Sequence, residues 1–150
     1  MKSFFIVAMS CLLLWSCNTE EKVTKKANIL FVSIDDLKPT IGVYGDPYAV
    51  TPNLDAFAKT GLTFMRAYSQ AGVCAPSRAS LMTGLRPDST RVWHLGDKFR
   101  ELMPEVVTMP QYFHNNGYHT VNLGKIFHNY MPDSVSWDEP DLRPSQQKKL

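Results

Sequence analysis

Residues 28–34, NILFVSI, form an apolar run with β-branched positions and no alternation of polar with apolar residues. Such a run suits a strand buried on both faces of a parallel sheet. It ends in two carboxylates, Asp35 and Asp36, with the breaker Pro39 shortly after. TPNLDAFAKTG (51–61) then reads as a short helix, with Thr51 as N-cap, Pro52 at the first position and Gly61 as the stop. LTFMRAYS (62–69) is a second strand candidate, and SRASLMTG (77–84) is compatible with helix. TMPQYFHNNGY (108–118) reads as another capped helix, from Thr108 to the stop Gly117. HTVNLG (119–124) is a third strand, running into Lys125 and His128. Strands alternating with helices predict an α/β fold. From Asn129 the chain turns polar and rich in proline.

The 150 residues are enough for one modest domain with one core. With 44% apolar and 20% charged residues, the composition is globular and excludes wholesale disorder. The net charge is +2, and no basic run is interleaved with aromatics, which argues against a nucleic-acid partner. The three cysteines are Cys11, Cys17 and Cys74. Beyond residue 17 only one remains, so neither an internal disulfide nor a zinc site built on cysteine pairs is expected there.

Residues 1–17, MKSFFIVAMSCLLLWSC, carry Lys2 and then an apolar run from Phe4 to Trp15. That run is too short to span a bilayer and right for the core of a signal peptide. Its end, LLWSC, resembles a bacterial lipobox. The resemblance implies cleavage before Cys17, diacylglycerol on its sulfur, and a lipid-anchored place in the bacterial cell envelope, periplasmic or surface-exposed. An ordinary secretory signal with an unrelated cysteine is the alternative. NTEEKVTKKA (18–27) reads as a polar tether.

Asp35 and Asp36 stand at the C-terminal end of the expected strand, where open α/β sheets bind ligands. Side chains alternate along a strand, so both can face one ion only where the strand ends and the backbone turns. Adjacent carboxylates repel unless a cation compensates, and their hard oxygens suit Ca²⁺ or Mg²⁺. A helix cap plus a solvated turn residue is the plainer reading of such a pair. Cys74 precedes a helix, and by itself is either an inert thiol or a nucleophile of lowered pKa. Arg78 follows four residues later, so one helical turn brings both to one face.

The whole string C-x-P-S-R, followed by LMTG, resembles the signature of the sulfatase family, whose cysteine is oxidised after translation to formylglycine. NILFVSIDD, TPNLDAFAKTGLTFMRAYSQAGVCAPSRASLMTGLRPDSTR and TMPQYFHNNGYHTVNLGKIFH are similar to the family's N-terminal domain in order and spacing, over about residues 28–130. The CAPSRAS form and the TMPQYF…NGY…GKIFH tract look most like its iduronate-2-sulfatase branch. The resemblance implies an alkaline-phosphatase-like α/β sandwich with a mainly parallel central sheet. It implies sulfate-ester hydrolysis on sulfated sugars, with glycosaminoglycan 2-O-sulfate as the first candidate and another sulfated polysaccharide as the second. A sulfatase-maturing enzyme and a divalent cation, Ca²⁺ or else Mg²⁺, come with it.

Residue by residue, the resemblance makes Asp35, Asp36 and residue 74 metal ligands. It makes the oxidised, hydrated Cys74 the nucleophile, with one hydroxyl attacking sulfur and the second driving release of sulfate. Arg78 is implied to hold that group and the carboxylates around it with its guanidinium fork, and Lys125 to bind a sulfate oxygen. His128 is implied to hydrogen-bond the nucleophile or take its proton. Pro76 and Ser77 match positions read by the maturing enzyme. His94, His114 and His119 match no motif, while Trp93 and His94 fall where a substrate contact is conceivable. The family's remaining metal ligands, leaving-group acid and C-terminal domain have no counterpart here. The chain is therefore expected to be the N-terminal part of a longer protein, inactive and poorly stable alone. Two other classes stay open: a phosphodiesterase or phosphonate hydrolase of the same superfamily, and a non-catalytic glycan-binding lipoprotein.

Overall fold

The computed structural model describes residues 25–128 and 131–141. The signal segment with Cys11, Cys17 and the lipobox lies outside the described residues, as does most of the tether. The chain divides into two units, Met1–Phe31 and Val32–Leu150. In the first, residues 25–31 run without regular secondary structure. The elements below belong to the second unit.

Five helices are described: α1 (Pro52–Ala58), α2 (Cys74–Thr83), α3 (Pro87–Thr90), α4 (Phe99–Leu102) and α5 (Met109–Asn115). Two 3₁₀ turns, Gly42–Tyr44 and Ser134–Ser136, accompany them. Helix α2 starts from the extended Val73 and ends at Gly84, whose φ of 70° closes the last turn through its N–H to the Ser80 carbonyl. Pro76 sits within the first turn, where an N–H has no partner in the helix anyway. The expected cap of α5 is present in full. Thr108 Oγ1 accepts from Gln111 N, and the Gln111 side chain accepts from Thr108 N. Thr51 precedes α1 as expected but does not cap it with its side chain. Its hydroxyl donates to the Asp55 carboxylate and accepts the Gly42 N–H at 2.9 Å, tying the first 3₁₀ turn to α1.

The core is small. Ala75, Ala79 and Met82 of α2 meet Val92, Phe99 and Phe127, with Val106, Met109, Ile126 and Trp137 packed around them. Phe127 stacks on Phe99 at 5.3 Å and meets Trp137 edge-on at 6.1 Å. A polar network lies beside this core. Arg100 grips Asp133 through two bonds of 2.8 Å and also donates to the Val106 and Pro104 carbonyls. Asp133 accepts from Ser136 Oγ, which shares a hydrogen bond with Thr108 Oγ1.

The three expected strands do not form. Residues 28–34 and 62–69 contain no strand, 119–124 carries only an isolated bridge at Leu123, and no strand exists among the described residues. A parallel strand needs a continuous hydrogen-bonding neighbour and covered faces, and among the described residues none of these segments has a neighbouring strand. The apolar side chains show the consequence: Leu30 is 88% exposed and Leu62 80%. In 119–124 the buried residues are instead polar, Thr120 and Asn122, each bonded to an aspartate that follows the Ser134–Ser136 turn.

That region contains a pH-dependent cluster. Asp138 accepts from Thr120 N at 2.7 Å and pairs with His114 at 3.1 Å, which together pull its carboxyl down to about 2. His119 lies 2.9 Å from Glu139, and that bond raises its pKa above the usual 6.5. The Asp138 contribution to stability is complete above about pH 4 and is lost as pH falls toward 2. The His119 contribution is complete below its ordinary pKa and fades as pH rises through the raised one. Thermal denaturation of His119→Gln and the parent between pH 5 and 9 should give curves that converge as pH rises. A constant gap would contradict this assignment.

Candidate active site

Helix α2 places Cys74 and Arg78 one turn apart, as the spacing predicts. Cys74 Sγ lies 3.3 Å from His128 Nδ1, so thiol and imidazole share a hydrogen bond. Arg78 is buried and reaches three ways. Its Nη2 donates to Asp35 Oδ1 at 2.9 Å. Its Nη1 donates to the backbone carbonyls of Lys125 and Ile126, the latter at 2.8 Å, and approaches Ser33 Oγ at 3.4 Å. Lys125 Nζ takes the other Asp35 oxygen at 2.5 Å. Five of the six expected residues thus converge: Asp35, Cys74, Arg78, Lys125 and His128.

Local chemistry explains the convergence. Gly124, at φ 78°, turns the chain just before Lys125. Phe127 then enters the core against Phe99, which fixes His128 beside the start of α2. The Arg78 fork captures the two carbonyls of this turn and so fastens it to α2. The sequence assigns Arg78 to the reacting group and the carboxylates around it, and gives no sign of its bonds to the Lys125 and Ile126 carbonyls. No spacing rule reports an arginine bonded to carbonyls 47 and 48 residues away.

The electrostatics follow from these contacts. The Lys125 and Arg78 hydrogen bonds lower the pKa of Asp35 below the usual carboxylate value. Burial, and then the positive charges of Lys125 and Arg78, lower the pKa of His128. The imidazole is therefore neutral at neutral pH and able to accept a proton.

Asp36 sits in a left-handed turn at φ 53°, exposed, immediately after Asp35. Among the described residues no three histidines, cysteines or acids gather as a metal site. The donors present fit a hard divalent cation in kind but not in number. Asp35 and Asp36 offer carboxylate oxygens, yet both oxygens of Asp35 are held by cationic side chains.

Trp93 and His94 lie exposed on a turn closed by Asp97, whose Oδ2 accepts both their backbone N–H groups at 2.8 Å. Asp97 also borders a void of about 10 Å³ together with Arg78, Phe127 and His128. The sequence reading did not single it out. An aspartate following His-Leu-Gly is the turn signal that would have found it.

The sulfatase family profile matches residues 27–135, so the chain belongs to the sulfatase family. Members of that family generally use formylglycine and a divalent metal, on an α/β fold of the alkaline-phosphatase type. Iduronate 2-sulfatase of Homo sapiens is 40% identical over 149 residues, covering 95% of this chain and 27% of that protein. A sulfatase of Formosa agariphila is 40% identical over 144 residues, covering 88% of this chain and 28% of its own length. An ulvan-active sulfatase of the same organism is 33% identical over 132 residues, 81% of this chain and 22% of that protein. The chain spans about a quarter of the length of these curated relatives.

Proposed function

We propose that this chain carries the nucleophile side of a sulfatase active site acting on sulfated sugars, with iduronate-2-sulfatase-like action on glycosaminoglycan 2-O-sulfate as the specific reading. The observation that supports it most is the convergence of Asp35, Cys74, Arg78, Lys125 and His128. A sulfate ester is anionic and a poor electrophile, so its hydrolysis needs an activated oxygen among cations. Oxidised to formylglycine by a maturing enzyme, residue 74 supplies a hydrated aldehyde; one hydroxyl attacks sulfur and displaces the sugar alcohol, and the second then loses its proton, re-forms the carbonyl and expels sulfate. His128 stands within hydrogen-bond reach of residue 74 and is neutral, so its imidazole accepts that proton. Arg78 holds Asp35 and the turn carrying His128 in fixed relation to α2. Lys125 brings an ammonium to the same place, suited to a sulfate oxygen. Ca²⁺, or Mg²⁺ in its stead, would be held by Asp35, Asp36 and the side chain of residue 74, and would offset sulfate charge.

The domain reading is part of the same proposal. Residues 1–17 form a lipoprotein signal, 18–27 a tether, and 28–150 the N-terminal part of the sulfatase domain. Cys17 carries the lipid, which places the protein in the bacterial cell envelope. In the whole protein, residues 28–34 and 119–124 enter a mainly parallel sheet once neighbouring strands satisfy their backbone groups.

The test is the mass of the tryptic peptide Ala67–Arg78 after expression beside a sulfatase-maturing enzyme, with any coding sequence that follows Leu150 included. Conversion of thiol to aldehyde lowers the mass by about 18 Da. An unaltered thiol beside an active maturing enzyme would refute the formylglycine reading.

A further inference from the structure

The turn between α3 and α4 carries an exposed aromatic on a fixed base. Val92 is buried in the core with Phe99 and Phe127, while its neighbours Arg91 and Trp93 are both exposed, Trp93 by 50%. Asp97 Oδ2 holds the Trp93 and His94 N–H groups, and the Asp97 N–H returns to the His94 carbonyl at 3.2 Å. The turn is thus closed on itself, and both of its feet are seated. Val92 and Asp97 border the same small void as Arg78 and His128, and His128 meets Cys74 at 3.3 Å. Trp93 therefore follows directly on the wall that carries the imidazole, on a support that no ligand has to order.

Arg91 supplies a second observation. It closes α3 in the left-handed region at φ 56°, its N–H donating to the Pro87 carbonyl. Glycine takes such a position freely, whereas a longer residue is strained there, and strain of this kind gathers at functional sites. Among the described residues neither the Arg91 guanidinium nor the Trp93 indole N–H has a hydrogen-bond or ion-pair partner.

We propose that Trp93 and Arg91 form a binding platform for a sulfated oligosaccharide. The indole stacks on the apolar face of the sugar next to the one that reacts, and the guanidinium pairs with an anionic group of that sugar. The proposal rests on the sulfated-sugar reading for the identity of the ligand, and on the anchored turn for its place. A pyranose ring shows C–H groups on its face and hydroxyls, sulfates or carboxylates around its edge. That pattern suits a flat aromatic beside a fork of N–H donors. The contact lies away from the sulfur, so it acts on binding and not on the chemical step.

The test compares the parent with Trp93→Ala, Trp93→Phe and Arg91→Gly, each expressed beside a maturing enzyme and with any coding sequence that follows Leu150. Calorimetric titration with a heparin-derived tetrasaccharide should show affinity about tenfold weaker in Trp93→Ala and close to the parent's in Trp93→Phe. Arg91→Gly should weaken it up to about fivefold, with no fall in melting temperature. In turnover of the same tetrasaccharide, Trp93→Ala should raise KM by about the factor lost in affinity and change kcat by less than about twofold. Unchanged affinity in Trp93→Ala, or no binding by the parent, would overturn the platform. Unchanged affinity with a lowered melting temperature would in addition assign the indole to packing against following sequence. Weakened binding in Trp93→Ala beside a parent that binds but never turns the sugar over would uphold the platform and refute the sulfatase reading.

Discussion

If the proposed sulfatase function holds, Cys74→Ser, expressed with any coding sequence that follows Leu150 and compared with the matured parent, is expected to lower turnover of sulfated sugars by roughly a thousandfold or more while leaving the fold intact. The site explains the size of the effect. Serine keeps one hydroxyl at the start of α2, 3.3 Å or so from His128 if it takes the place of the sulfur. That hydroxyl can attack sulfur once and displace the alcohol. It leaves a serine sulfate ester with no second hydroxyl whose deprotonation would expel sulfate. The peptide spanning Ala67–Arg78 should then gain about 80 Da on incubation with substrate, an addition the parent does not accumulate. Multiple turnovers by the serine variant at a rate near the parent's would sink the two-hydroxyl mechanism. Circular dichroism matching the parent secures the reading, because Cys74 contributes little to the core.

The largest stability effect is expected in the Arg100–Asp133 network. Asp133→Asn should cost about 3 kcal/mol, the usual consequence of removing one partner from a buried ion pair. The Asp133 side chain is 1% exposed and accepts two guanidinium bonds and the Ser136 hydroxyl. Asparagine tolerates the left-handed backbone at φ 52°, so the substitution isolates the loss of charge and of acceptors. In a chain of this size the melting temperature should fall by about 10 °C. Lys98→Met is the control. It breaks the Lys98–Glu101 pair, whose partners are both more than half exposed, and should change stability by less than about 0.5 kcal/mol. Equal effects from the two substitutions would show that the buried network is not what holds the Ser134–Ser136 turn to α5.

The helix ends were legible because their signals are local. The Thr108 cap and the Gly117 stop, at φ 75°, bound α5 as the sequence predicts, whereas Thr51 does not cap α1 with its side chain and that helix ends at Ala58, before Gly61. The Cys74–Arg78 spacing was legible for the same reason. The strands were read with equal directness from NILFVSI and HTVNLG, yet neither forms, because a strand is completed by another segment rather than by its own residues. The short helices α3 and α4 carry too few residues for any periodicity and were not anticipated. Arg100 and Asp133, 33 residues apart, carry no mark that they meet. Asp35, Lys125 and His128 were found through resemblance to a family; their spacing alone left solvated or structural roles open.

The separations that bind the site are long. Arg78 reaches Asp35 across 43 residues and Ile126 across 48, Cys74 reaches His128 across 54, and Lys125 reaches Asp35 across 90. The helices close over three or four. Loop-closure entropy opposes distant contacts until much of the chain is in place, so local elements are expected to form early in folding and these contacts late. During synthesis the cysteine and arginine of α2 emerge long before their partners near residue 128. Assembly of this cluster therefore reports that residues 35–128 have reached their distant contacts, where helix content alone would not.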